Sequence, residues 1–125
     1  MLRVLGILLV LWPMAANSHD LVPTYPEIKE SHVSGIYQTT LSTWNRREEV
    51  EYYEIEVFDK DFEPVRFATI AKIVRIKYLS KKKFDVYIKE TDLDLAVYIC
   101  TTSKTKKENI TRTIVSSRVC SKIKR

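Results

Sequence analysis

The residues best equipped for chemistry in this 125-residue chain lie in its last third. Its two cysteines, Cys100 and Cys120, each end a strand-like run, at 94–100 and 113–120, with a basic loop between the runs. Two thiols on neighbouring strands can be oxidised to one disulfide, which is a chemistry of exported proteins. Closing a loop of about 20 residues contributes on the order of 3 kcal/mol in the chain-entropy model. The rival chemistries lack partners. The cysteines are too far apart in sequence for a redox pair of adjacent residues, and a zinc site would need further ligands where only His19 and His32 are on offer.

Arg118 and Lys122 flank the second cysteine. A guanidinium presents a planar fork that matches a carboxylate. Arg118, with Lys122 as second choice, is therefore the candidate holder of an acidic group such as a chain terminus. Ile114, Val115 and Val119 are the candidate apolar contacts of an added strand, and core packing accounts for the same three residues. Catalytic constellations are missing from the sequence: there is no Ser-His-Asp spacing, no Gly-rich phosphate loop and no cluster of metal-binding histidines. The expectation is a protein that is not an enzyme, with no cofactor, no metal, no small-molecule substrate and no nucleic-acid partner.

The compartment has its own signal. Arg3, the short apolar run at 4–12 and the small residues Ala15, Ala16 and Ser18 follow the layout of a secretory signal peptide. The apolar run falls well short of the roughly 20 residues of a membrane span. Cleavage after Ser18 or after Ala16 fits the small-residue rule. The expected product is secreted or periplasmic, with residues 19–125 forming one domain.

The elements that must position the cysteines read as strands. Residues 52–58 alternate, with Tyr53, Ile55 and Val57 on one face and Glu54 and Glu56 on the other. The runs 35–44, 70–78 and 84–88 follow the same rule, with Leu41, Val74, Ile76, Val86 and Ile88 facing inward. Val97 and Ile99 are assigned to the core in the first cysteine run. Charged and polar clusters at 45–49, 59–64, 79–83 and 90–94 supply the connections. The opening stretch 20–28 carries Pro23 and Pro26, a proline content that edge strands tolerate. About seven short strands at regular spacing predict an all-β, immunoglobulin-like sandwich. The formal charge is +5, and much of it follows Cys100, which suits an acidic partner or an anionic surface. Within that region Asn109-Ile110-Thr111 also fits the N-glycosylation acceptor pattern.

Two resemblances sharpen this picture. The pattern Asp94-x-Ala96-x-Tyr98-x-Cys100 resembles the penultimate strand of an immunoglobulin-type domain, which implies that the Tyr98 hydroxyl caps a corner by bonding nearby backbone. Over most of 20–125 the chain resembles the N-terminal domain of periplasmic pilus-assembly chaperones. The matching pieces are Trp44-Asn45-Arg46, the alternating 53–59, Glu63-Pro64-Val65, the apolar 70–76 and the basic-then-alternating 82–88. The resemblance implies an immunoglobulin-like sandwich, a disulfide between its last two strands and a protein partner, such as a pilus subunit, held by strand addition. It also implies a basic pair for the partner's terminal carboxylate. For that pair the first segment offers Lys29 and the last strand offers Arg118 or Lys122. Two other functions fit the composition: a secreted adhesion or ligand module, and a basic domain that contacts polyanions.

Overall fold

A computed structural model describes residues 18–104 and 116–125. The expected signal segment at 1–17, Ile114, Val115 and the acceptor triplet 109–111 lie outside the described residues. Strands β1 (Asp20–Val22), β2 (Lys29–Glu30), β3 (Ile36–Trp44), β4 (Tyr52–Phe58), β5 (Ile73–Arg75), β6 (Lys81–Lys89), β7 (Tyr98–Lys104) and β8 (Arg118–Lys122) form two sheets. Between β6 and β7 lies the single-turn helix α1 (Glu90–Leu93). No helix among the described residues is long and apolar enough to cross a membrane.

In the first sheet β6 pairs with β3 over its whole length, and β1 and β2 share the other edge of β3 in tandem. Together β1 and β2 are one interrupted first strand, so the described residues fill seven strand positions. The second sheet runs β5-β4-β7-β8. Every pair within the sheets is antiparallel. This is the expected immunoglobulin-like sandwich, with its disulfide between the last two strands.

Period-two alternation makes the core. Tyr53, Ile55 and Val57 of β4 face Leu41, Val86 and Ile88 of the first sheet, with Val74, Ile76, Phe84 and Ile99 alongside. The polar residues of β4 alternate outward, where water solvates them. One end of the core is closed by Asn45, fully buried just after β3. Its Nδ2 donates to the carbonyls of Val50 and Ile76, at 2.6 and 2.8 Å. Its Oδ1 accepts from the Arg47 backbone N–H and the Tyr53 hydroxyl. An amide with two donors and two acceptors met is as buried as such a group can be without cost.

Several expectations need correction. The strand expected at 70–78 is only three residues long. Ile70 is 94% exposed, Tyr78 and Leu79 form an exposed turn, and Leu79 takes a left-handed φ of 60° that ends any strand. Lys81, Lys82 and Lys83 are the start of β6 rather than a turn, because Trp44, Thr43 and Ser42 pair with them across the sheet. The first cysteine run is displaced: β7 begins at Tyr98, Ala96 is buried, and Val97 is only partly buried. The chain turns just before β7, with Ala96 N–H bonded to the Leu93 carbonyl, so strand alternation does not extend back to Val97.

Candidate functional site: the last hairpin and its open edge

Register places Cys100 directly opposite Cys120, with Cα atoms 4.1 Å apart, and a disulfide joins them. That short separation belongs to a non-hydrogen-bonded pair of an antiparallel ladder. Even-numbered residues of β8 therefore turn their main-chain groups away from β7. The far half of β8 confirms this direction. Lys122 N–H bonds the Thr24 carbonyl at 3.0 Å, and Lys124 N–H bonds Pro26 at 2.9 Å. In the other direction, Ile123 N–H bonds Val97, on the β7 side.

The opening segment thus covers the β8 edge beyond Lys122, and Ser121 Oγ fastens it by donating to the Pro23 carbonyl at 2.7 Å. Nearer the start of β8, the outward N–H and C=O groups of Arg118 and Cys120 meet no strand among the described residues. An uncovered edge of this kind is a template for another chain.

Side chains follow the same alternation. Val119 is partly buried and packs against the core. Arg118 and Lys122 lie on the outer face of the second sheet, on the same side as the disulfide. The guanidinium of Arg118 sits 4.7 Å over the Phe58 ring, 3.3 Å from Thr102 Oγ1 and 3.5 Å from Glu56 Oε2. Burial pushes the Glu56 carboxyl up, neighbouring Glu54 pushes it further, and Arg118 opposes both. Glu54 has its own cation, Lys104 Nζ at 2.8 Å. Lys122 is exposed opposite Tyr98 and makes no ion pair among the described residues. Lys29 lies on β2, in the first sheet opposite Gln38, so the basic pair implied by the resemblance is split between the two sheets.

Tyr98 departs from its expected role. In an immunoglobulin domain the penultimate-strand cysteine faces inward and reaches across the sandwich. Here Cys100 faces its neighbour β8, so Tyr98, two residues earlier, also points out of the sheet. Its ring stacks on Phe62 at 4.6 Å and 8°. Phe62 is carried at a φ of 59° by a turn in which Asp59 Oδ1 accepts from the N–H groups of Asp61 and Glu63. Arg118, Phe58, Phe62 and Tyr98 therefore share one outer surface.

Sequence reasoning missed His19, which packs inside the start of this hairpin. It is 1% exposed, and its Nε2–H is shared between the carbonyl and hydroxyl oxygens of Thr101 at 2.9 and 2.8 Å. Nδ1 is then the acceptor for the Ser117 hydroxyl at 3.3 Å. Desolvation holds the imidazole's pKa below the usual histidine range, with Arg47 adding to the effect and the Thr101 carbonyl and Asp20 opposing it. The contact spans 82 positions, and no local pattern announces it.

No protein-family model matches this chain, and no curated protein matches it in sequence. Among solved structures, it is similar to the periplasmic chaperone SfaE, with a TM-score of 0.55 at 11% sequence identity. The superposition covers 85% of this chain and 56% of that one, so this chain spans little more than half of its neighbour's length. At that identity the similarity is one of fold.

Proposed function

We propose that this is an exported protein-binding domain that acts on a partner chain by strand addition along β8, as a pilus-assembly chaperone would. The single observation that carries this reading is the edge at Arg118 and Cys120, which no strand among the described residues covers. Main-chain bonds along an added strand supply affinity, and pockets for alternate side chains supply register. The fold-level likeness to a periplasmic chaperone and the disulfide both fit an exported protein of this kind.

In this reading Arg118 or Lys122 holds an acidic group of the partner. Arg118 would have to exchange Glu56 for it, whereas the Lys122 ammonium makes no ion pair among the described residues. Val119 steadies the strand from the core side, with Ile114 and Val115 as the further apolar contacts.

The test is co-purification of the protein from its native compartment, followed by identification of the bound chain and comparison of three variants. Arg118→Pro removes an outward N–H that makes no bond within the described sheet, and edge strands tolerate proline. It should abolish capture while the disulfide still forms. Arg118→Ala and Lys122→Ala should each weaken capture, with the larger loss marking the anchor. A partner that stays bound to Arg118→Pro would rule out strand addition at this edge.

A further inference from the structure

The turn between β5 and β6 combines three properties that protein binding at β8 does not use. Its tip is apolar and exposed: Tyr78 is 46% and Leu79 is 60% accessible. Its flanks are basic: Lys77, Lys81, Lys82 and Lys83 are all exposed, and none has an ion-pair partner among the described residues. Its backbone is held in place. Leu79 N–H bonds the Asn45 carbonyl at 2.8 Å, Asn45 N–H bonds Ser80 at 3.0 Å, and Ser80 N–H bonds Lys77 at 3.0 Å.

Leu79 adopts this exposure at a φ of 60°. The left-handed region suits glycine and asparagine, and a leucine there is disfavoured sterically. A residue in that region at a surface tip, contributing nothing to the core, points to a use outside the fold. The acids at this end of the sandwich are mostly occupied. Asp20 pairs with Arg46 at 3.0 Å, Glu49 with Arg47 at 2.8 Å and Glu51 with Arg75 at 3.1 Å. Asp85 accepts from the Thr40 hydroxyl. Only Glu48 is exposed there without an ion pair among the described residues. Trp44, opposite Lys81 in register, lies under the Arg46 guanidinium at 4.5 Å and extends the basic and aromatic character of the surface.

We propose that this turn is a docking point for anionic phospholipid bilayers, with Tyr78 and Leu79 entering the headgroup boundary and the flanking lysines, Lys77 ahead of the tip, Lys81 and Lys83 from one face of β6 and Lys82 from the other, meeting the lipid phosphates around it. Charge complementarity selects an anionic surface. The apolar tip selects lipid over a soluble polyanion, because a polysaccharide or nucleic acid would reward the lysines and leave Leu79 in water. A tyrosine at the interface, with one wet end and one apolar end, fits the same site.

The test is co-sedimentation of the protein in its secreted form, its N-terminus read by mass spectrometry, with vesicles of phosphatidylcholine alone or with about 30 mol% phosphatidylglycerol. Binding should require phosphatidylglycerol and fall steeply with salt. Changing Lys77, Lys81, Lys82 and Lys83 to Gln should weaken it by about fivefold per lysine. Leu79→Asn should weaken it by about fivefold or more through the lost apolar insertion. Because asparagine tolerates the left-handed conformation, that variant should also melt at a higher temperature than the parent. Absence of binding to the phosphatidylglycerol vesicles would overturn the proposal. Equal binding by Leu79→Asn and the parent would overturn it too, since a contact indifferent to the tip is a charge-only contact.

Discussion

The Tyr53 hydroxyl donates to Asn45 Oδ1 at 2.5 Å, joining a fully buried residue of β4 to the residue that follows β3 in the opposite sheet. Burial pushes the Tyr53 phenol up to about 12, so it remains a donor across the physiological range. Asn45→Ala would strand this hydroxyl, the Arg47 N–H and two buried carbonyls at once. Each unsatisfied buried group costs roughly 1–3 kcal/mol, and some of them will recover water at the sandwich end. Urea unfolding should show a loss of about 3–5 kcal/mol for Asn45→Ala. Tyr53→Phe leaves Oδ1 still bonded to Arg47 and should lose only about 1–1.5 kcal/mol.

His19 makes the fold sensitive to mild acid. Its folded-state pKa lies below the usual value because burial disfavours the imidazolium, with Arg47 acting in the same direction. The unfolded chain therefore takes up a proton first as pH falls below about 6.5. Stability from this group is full above that pH, declines below it, and is lost as pH drops through the depressed folded value. Urea midpoints measured from pH 8 to pH 5 should fall, and His19→Gln should flatten that part of the profile. An unchanged profile in His19→Gln would assign the acid sensitivity to the carboxylates.

Thr43 is fully buried, and its Oγ1 has no hydrogen-bond partner among the described residues. The hydroxyl left bulk water on folding and gained no bond among the described residues. Thr43→Val keeps the β-branched shape and removes the stranded oxygen. The variant should be more stable by about 1 kcal/mol in chemical denaturation. A destabilised variant would reveal a partner for Oγ1.

The alternating runs were the legible part of this chain. Residues 52–58 form β4 at the expected bounds, and the inward residues of 84–88 are buried, because one face of each strand rests on the core and the other on water. The stretch 70–79 misled because its Ile and Val content looks like a strand while a turn geometry governs it, with Leu79 left-handed and Ile70 in solvent. The lysine run at 81–83 looked like a turn because charge signals exposure, yet the end of a long strand can be exposed and still paired. Within the site, the disulfide was legible because two cysteines on neighbouring strands have one pairing. The open half of the β8 edge was not, because it depends on where residues 23–27 stop covering it.

The start of β7 gives the last and most local prediction. Alternation alone assigns Val97 and Ile99 to the same inward face and so to equal importance. The structure separates them. Ile99 lies within β7 opposite Val57 and Ser121, with no solvent exposure. Val97 precedes the strand, is partly buried, and holds its place through backbone bonds to Phe58 and Ile123 that any side chain allows. Ile99→Ala should therefore cost about 2–5 kcal/mol, the loss of buried methyl groups plus the cavity they leave. Val97→Ala keeps both backbone bonds and should cost about 1 kcal/mol or less. The two variants, compared by urea unfolding at the same pH, should differ by more than about 1 kcal/mol. Equal losses would mean that the strand reaches back to Val97 and that its side chain belongs to the core.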